Sequence, residues 1–273
     1  MNDTTAQPDS RPPVSLRRLM IIGGLLGVSL CLTVGLMAVG RSSSVPVHHV
    51  EVVNTYPHDP GAFCQGLAFA DGRLFEGTGQ YGKSSLREVD LETGRVLRQV
   101  NLQERIFGEG ITLWGDSIVQ LTWKQRRAYT YDKDTFAYKE TFRYQGEGWG
   151  LTHDGTHLVM SDGSSTLRFL DPATFEEVRR ISVHEGRRRI NKLNELEYVN
   201  GQILANVWYE DMIARISPED GRLLGWLDLR SLWAARSRPS KEHVLNGIAF
   251  DESTGRLFVT GKNWPKLYEI RVR

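Results

Sequence analysis

This sequence predicts an all-β fold, a five-bladed β-propeller whose ring is closed by an N-terminal strand completing the last blade. Three observations carry the prediction. From Val47 onward, short runs of alternating apolar and polar residues are broken by Asp-Gly, Asn-Gly and Thr-Gly, with almost no helical period. One frame recurs at Gly66, Gly110, Gly150, Glu195 and Gly247, a spacing of about 40 to 50 residues that matches propeller blades. The last copy is one strand short, while His49-Val50-Glu51-Val52-Val53 precedes the first copy with no blade of its own.

Each copy reads as strand, hairpin turn, strand. Gly66-Leu67-Ala68-Phe69 precedes Asp71-Gly72, and Gly110-Ile111-Thr112-Leu113 precedes Gly115-Asp116. Gly150-Leu151-Thr152-His153 precedes Asp154-Gly155, and Glu195-Leu196-Glu197-Tyr198 precedes Asn200-Gly201. Gly247-Ile248-Ala249-Phe250 precedes a turn and then Arg256-Leu257-Phe258. Third strands end in turns at 90–94, 132–135, 171–174 and 217–221, and fourth strands such as 96–100 and 177–181 follow. Pairing 49–53 with the last copy would lock both chain ends together and remove an open sheet edge. A β-sandwich gives no reason for a repeat of this length. The one helical expectation is a short helix over 229–236.

Three segments are expected. Residues 1–18 form a polar N-terminal segment ending in Arg17-Arg18, which stays in the cytoplasm. Residues 19–40 are a hydrophobic run of about 20 residues, long enough to span a bilayer. Ala38 and Gly40 suit signal peptidase, so this run is either a cleaved signal peptide or a retained membrane anchor. Both alternatives export the propeller domain, 46–273, to the periplasm or beyond. With 34 basic and 33 acidic side chains, no global field points to nucleic acid. Of two cysteines, Cys31 lies in the hydrophobic run, so Cys64 has no disulfide partner and the core alone must hold the exported fold.

In a propeller, equivalent repeat positions converge on one mouth of the channel. Just ahead of each first strand stand Gln65, Glu109, Trp149, Asn194 and Asn246. Just past each second strand stand Gly79, Trp123, Gly163, Trp208 and Lys262. Packing alone would favour small apolar residues at the first set. Convergence therefore predicts a pocket with aromatic walls and a few polar groups. Glu109 lies within Ile106-Phe107-Gly108-Glu109-Gly110-Ile111, where the glycines permit a sharp turn or a close approach. Its carboxylate is either an ordinary turn residue or a catalytic acid/base.

Other features read as ordinary. The arginines at 179–180 and 187–189 form a solvated basic face. The seven histidines are scattered without metal-ligand spacing, so no catalytic metal is expected. Cys64 reads as a small buried residue. Gly77-Thr78-Gly79 through Lys83-Ser84 lacks the strand-to-helix context of a phosphate loop.

Several ordered motifs carry a resemblance. They are Tyr56-Pro57-His58-Asp59-Pro60, Phe63-Cys64-Gln65-Gly66-Leu67, Phe107-Gly108-Glu109-Gly110 and Gly148-Trp149-Gly150-Leu151. In the second half stand Leu193-Asn194-Glu195-Leu196-Glu197-Tyr198, Ala205-Asn206-Val207-Trp208, Leu245-Asn246-Gly247-Ile248-Ala249 and Gly261-Lys262-Asn263-Trp264-Pro265. Together they resemble the plant-type glutaminyl-peptide cyclotransferases of plants and bacteria. The resemblance implies a five-bladed propeller that converts N-terminal glutamine of peptides or proteins to pyroglutamate, releasing ammonia. It implies no cofactor for catalysis and leaves a structural cation unassigned. The expected partners are glutaminyl peptides or proteins, with no nucleic acid, and the chain is expected to be a monomer. For that reaction Glu109 is the expected proton shuttle. Lys262, Gln65 and Asn194 would hold the amide or its oxyanion. Phe63, Phe107, Trp123, Trp149 and Trp208 would wall the site, with Asn246 among the substrate-binding residues. The competing expectation is a non-catalytic periplasmic propeller that binds a ligand or protein through the same aromatic mouth.

Overall fold

The computed structural model describes residues 45–273, and the expectations for 1–40 lie outside them. Among the described residues no helix is long and apolar enough to cross a membrane. β1 (Val47–Pro57) is followed by an antiparallel meander of β2 (Cys64–Ala70), β3 (Arg73–Thr78), β4 (Ser85–Val89) and β5 (Val96–Asn101). A second unit holds β6 (Gly108–Trp114), β7 (Ser117–Thr122), β8 (Arg127–Asp132) and β9 (Tyr138–Arg143). The third holds β10 (Leu151–His153), β11 (Leu158–Ser161), β12 (Thr166–Leu170) and β13 (Glu177–Ser182). A small hairpin, β14 (His184–Glu185) with β15 (Arg188–Arg189), leads into the fourth. That unit is β16 (Leu193–Val199), β17 (Gln202–Val207), β18 (Met212–Ile216) and β19 (Leu223–Asp228). The last three strands are β20 (Leu245–Asp251), β21 (Arg256–Gly261) and β22 (Lys266–Val272).

The strand missing from the last unit is β1, as the sequence predicts. It pairs antiparallel with β22, with Val50 opposite Val272 and Tyr56 opposite Leu267. Its first residues do something further: Val47 to His49 pair in parallel with Trp226 to Asp228 of β19. One strand therefore merges the fourth and fifth units into an eight-stranded sheet.

Apolar residues meet between neighbouring units. Phe75 and Leu86 pack with Ile118 and Tyr131, and Leu121 and Ala128 with Leu158 and Met160. Val159 and Phe169 share a cluster with Ile203 and Ala214, and Leu204 and Ile213 with Ile248 and Val259. Phe258 and Leu267 complete the circuit against Leu67 and Phe69. The first strands adjoin in the same order, β2, β6, β10, β16, β20 and back to β2.

Turn chemistry fixes the register of the outer strands. The Asp90, Asp132 and Asp171 carboxylates accept the backbone N–H of Thr93, Thr135 and Thr174 at 2.8, 2.9 and 2.9 Å. Each turn ends on a left-handed residue. It is Gly94 in the first unit but Phe136 and Phe175 in the next two, with φ of 59° and 61°. The left-handed backbone costs a non-glycine residue about 1–2 kcal/mol. Burying a phenylalanine contributes about 1.5–3 kcal/mol, and both rings are buried. The helix expected over 229–236 is replaced by a 3-10 turn, Ala235–Ser237. Such a short segment nucleates a helix poorly. Arg238 instead holds it bent, donating to the Trp233 carbonyl at 3.1 Å and to Asp211 at 2.8 Å.

Candidate active site

Backbone irregularities aim the polar side chains. In β2, Cys64 pairs with Thr78 and Gly66 with Gly77, leaving Gln65 as an extra residue. The same one-residue excess occurs in β6 between Gly108 and Ile111, in β16 between Leu193 and Leu196, and in β20 between Leu245 and Ile248. Gln65, Glu109, Asn194 and Asn246 thus lie inside β-bulges rather than ahead of the strands, while Trp149 does precede β10. A bulge breaks the two-residue alternation, re-aiming a side chain beside apolar neighbours.

The glycines around Glu109 serve close approach. A Cβ on Gly108 would sit 2.7 Å from the Thr78 carbonyl oxygen, and one on Gly110 2.6 Å from that of Trp149. The Gly108 N–H donates to Ser84 Oγ at 2.9 Å and the Gly110 N–H to the Trp149 carbonyl at 2.7 Å. Neighbouring units therefore pin Glu109 on both sides. In the fourth unit Glu195 replaces the glycine that the frame has elsewhere. Its carboxylate accepts the N–H of Leu67 at 3.2 Å and of Ile248 at 2.9 Å, tying three first strands together.

A cavity of about 240 Å³ opens at this end of the strands. Glu109, Lys262, Gln65, Asn194 and the five expected aromatic residues all line it. Phe63 meets Phe107 edge-on at 6.2 Å, Phe107 meets Trp123 at 5.5 Å, and Trp149 meets Trp208 at 5.5 Å. Gly79 and Gly163 make room for these walls, since a Cβ would lie 2.4 Å from the Phe107 ring and 2.7 Å from Trp149.

Asn246 is the one expected site residue outside the lining. It is fully buried and donates through Nδ2 to the Cys64 carbonyl at 2.9 Å and to Gln65 Oε1 at 3.2 Å. That contact occupies the Gln65 oxygen and leaves its amide N–H groups for the cavity. Glu242 also lines the site and was not expected, because it falls in the irregular segment after β19 where the repeat gives no register. The Tyr209 hydroxyl donates to it at 3.0 Å.

Glu109 and Lys262 are both buried, and among the described residues they form no direct ion pair. Burial pushes Glu109 well above the usual carboxylate range; Lys262 opposes this and Glu147 adds to it. Burial likewise lowers Lys262, against the pull of Glu109. The Lys262 ammonium stands 4.8 Å from the Phe63 ring and 5.9 Å from that of Trp208. Two buried acceptors or donors have no partner here, Asn194 Oδ1 and Trp208 Nε1. Cys64 is a buried free thiol. Among the described residues no three His, Cys, Asp or Glu side chains converge on a metal-sized site.

An all-β protein enclosing a carboxylate, an amine and open hydrogen-bonding atoms within aromatic walls is built for acid–base work on a small polar group. The comparisons narrow that class. Residues 26–272 match a family described as glutamine cyclotransferase. The chain is 47% identical over 233 residues to glutaminyl-peptide cyclotransferase of Arabidopsis thaliana, covering 83% of this chain and 72% of that protein. The crystal structure of Myxococcus xanthus glutaminyl cyclase matches with a TM-score of 0.79 at 36% identity, covering 84% of this chain and 98% of that one. This chain belongs to the glutamine cyclotransferase family.

Proposed function

We propose that this chain cyclises the N-terminal glutamine of peptides and proteins to pyroglutamate, releasing ammonia. The observation that carries the reading is the buried Glu109 and Lys262 facing one aromatic cavity in a chain of this family. The fold reading that accompanies it is a five-bladed β-propeller. It is supported by the cyclic order of first strands, the clusters between units and the completion of the last unit by β1.

The reaction is an internal aminolysis. The α-amine attacks the side-chain amide carbon, a C–N bond forms, and the tetrahedral intermediate expels ammonia. Nucleophile and electrophile are tethered, so the site has mainly to fold the side chain back and manage protons. Glu109 accepts the proton of the attacking amine and returns it to the leaving nitrogen. Its raised pKa favours both halves of that task. Lys262 and the Gln65 N–H groups stabilise the oxyanion. Asn194 Oδ1, buried without a partner, accepts a substrate N–H. Phe63, Phe107 and the three tryptophans exclude water and hold the cyclising conformer.

No step of this scheme uses a cofactor. The test is ammonia release from a glutaminyl peptide by the purified chain after EDTA treatment, and turnover is expected to survive. A folded chain that releases none would overturn the reading in favour of a peptide-binding module. The proposal extends to 46–273 as a monomeric catalytic domain, exported behind the 19–40 run as leader or anchor. Light scattering and membrane fractionation test those two parts.

A further inference from the structure

Three indoles wall the cavity, and their N–H groups are treated differently. One oxygen of Glu147, Oε2, accepts Trp123 Nε1–H at 2.7 Å and Trp149 Nε1–H at 3.0 Å. Trp208 Nε1 is buried with no partner. Trp123 follows β7 and Trp149 precedes β10, so one carboxylate bridges two units. Glu147 is itself held from behind. Buried Arg168 of β12 donates to the Gln145 carbonyl at 2.6 Å and to the Glu147 carbonyl at 3.0 Å. The Gly148 N–H donates to the Trp123 carbonyl at 3.2 Å, fixing the same segment to the second unit.

The geometry is not required for packing alone. Exposed indole N–H groups are readily hydrated, and a loop carboxylate has no need to collect two of them. Charge-assisted bonds from two donors to one oxygen fix both ring planes, which edge contacts alone leave free to tilt. Trp123 is then presented edge-on to Phe107 and Trp149 edge-on to Trp208. We infer that Glu147 is a positioning residue of this site, clamping Trp123 and Trp149 into the slot where the substrate side chain folds, while Trp208 is the one wall indole whose N–H has no partner. The inference rests on the cyclisation reading for its kinetic consequence but not for the clamp itself. Glu147 also places a negative charge near Glu109, so its two effects must be separated.

Two variants separate them. Glu147→Ala removes clamp and charge; Glu147→Gln removes the charge but keeps an acceptor oxygen. In E147A, kcat/KM is expected to fall about 10–100-fold, mostly in kcat, as misplacement of a bound group does. Its near-UV circular dichroism should change while far-UV signal and cooperative unfolding persist. E147Q should recover the aromatic signal and come within about threefold of wild type, the residue of weakening a charge-assisted bond. Its acid limb should move to lower pH, because a neighbouring charge that raises Glu109 is gone. The inference is overturned by E147A retaining wild-type kcat/KM and aromatic signal. It is equally overturned if E147Q falls as far as E147A with the aromatic signal intact, since charge would then be the whole effect. A wild-type chain inert on glutaminyl peptide, with E147A still losing the aromatic signal, would sink the cyclisation reading and support the clamp.

Discussion

The two ends of the first strands hold similar groups, Glu109 buried and Glu197 partly buried, and bond them differently. At the far end a depression of about 300 Å³ is lined by Thr112, Thr152, His153 and Glu197. There one Glu197 oxygen accepts the Phe250 N–H at 2.8 Å and the other the Thr152 hydroxyl at 3.3 Å. At the near end Glu109 and Lys262 form no ion pair among the described residues, and Asn194 Oδ1 and Trp208 Nε1 have no hydrogen-bond partner. Burial raises both glutamates, Glu197 to about 8. Burial and a shifted pKa therefore do not mark the site. What differs is the lining: among the described residues two buried groups without a partner, Asn194 Oδ1 and Trp208 Nε1, face the near cavity and none faces the far depression, and each such group costs about 1–3 kcal/mol.

That contrast can be broken most decisively at Glu109. Glu109→Gln is expected to lower kcat by about 10²–10⁴-fold with the urea midpoint unchanged or higher, since a desolvated carboxylate is removed. Loss of stability in parallel with turnover would erase the distinction between the two ends. Between the ends, Glu195→Ala strands two buried N–H groups and is expected to cost about 2–5 kcal/mol in urea unfolding.

The pH profile sharpens the comparison further. The scheme needs Glu109 deprotonated, and its pKa is raised, so the acid limb of kcat/KM should lie above the range of an ordinary carboxylate. Lys262 holds that pKa down. In Lys262→Met the limb should move to higher pH, beside the loss of rate from the missing cation, and a limb that stays put would dissociate it from Glu109. The smallest effect belongs to the far end. Glu197→Gln keeps one acceptor, so kcat/KM should stay within about twofold and stability fall by about 1 kcal/mol.

Much of this was legible in the sequence because it is periodic. Glu109, Lys262, Trp123, Trp149 and Trp208 occupy recurring positions of the repeat frame, so periodicity alone brings them to one mouth, whereas Phe63 and Phe107 are expected only from the family resemblance. The turns at Asp90, Asp132 and Asp171 were legible because their chemistry is local. What escaped depends on non-local geometry. Asn246 shares the ring position of Gln65, but only their hydrogen bond reveals that it supports rather than lines the cavity. Glu242 lies off the repeat, and the parallel pairing of Val47 with Trp226 has no local signal. Phe136 and Phe175 contradict the residue preference of their turns because burial outweighs backbone strain.

β1 governs the order in which this molecule can be finished. Of the described strands it is made first, yet its long antiparallel partner, β22, is made last. Throughout synthesis Val50 and Val52 must wait, with only the short parallel register to β19 offered on the way. Closing so distant a contact is slow, although its entropic cost grows only with the logarithm of the separation. Once closed, β1 is a clasp: a protease or a pulling force that reaches either β1 or β22 meets a strand already hydrogen-bonded to one from the far end of the folded domain.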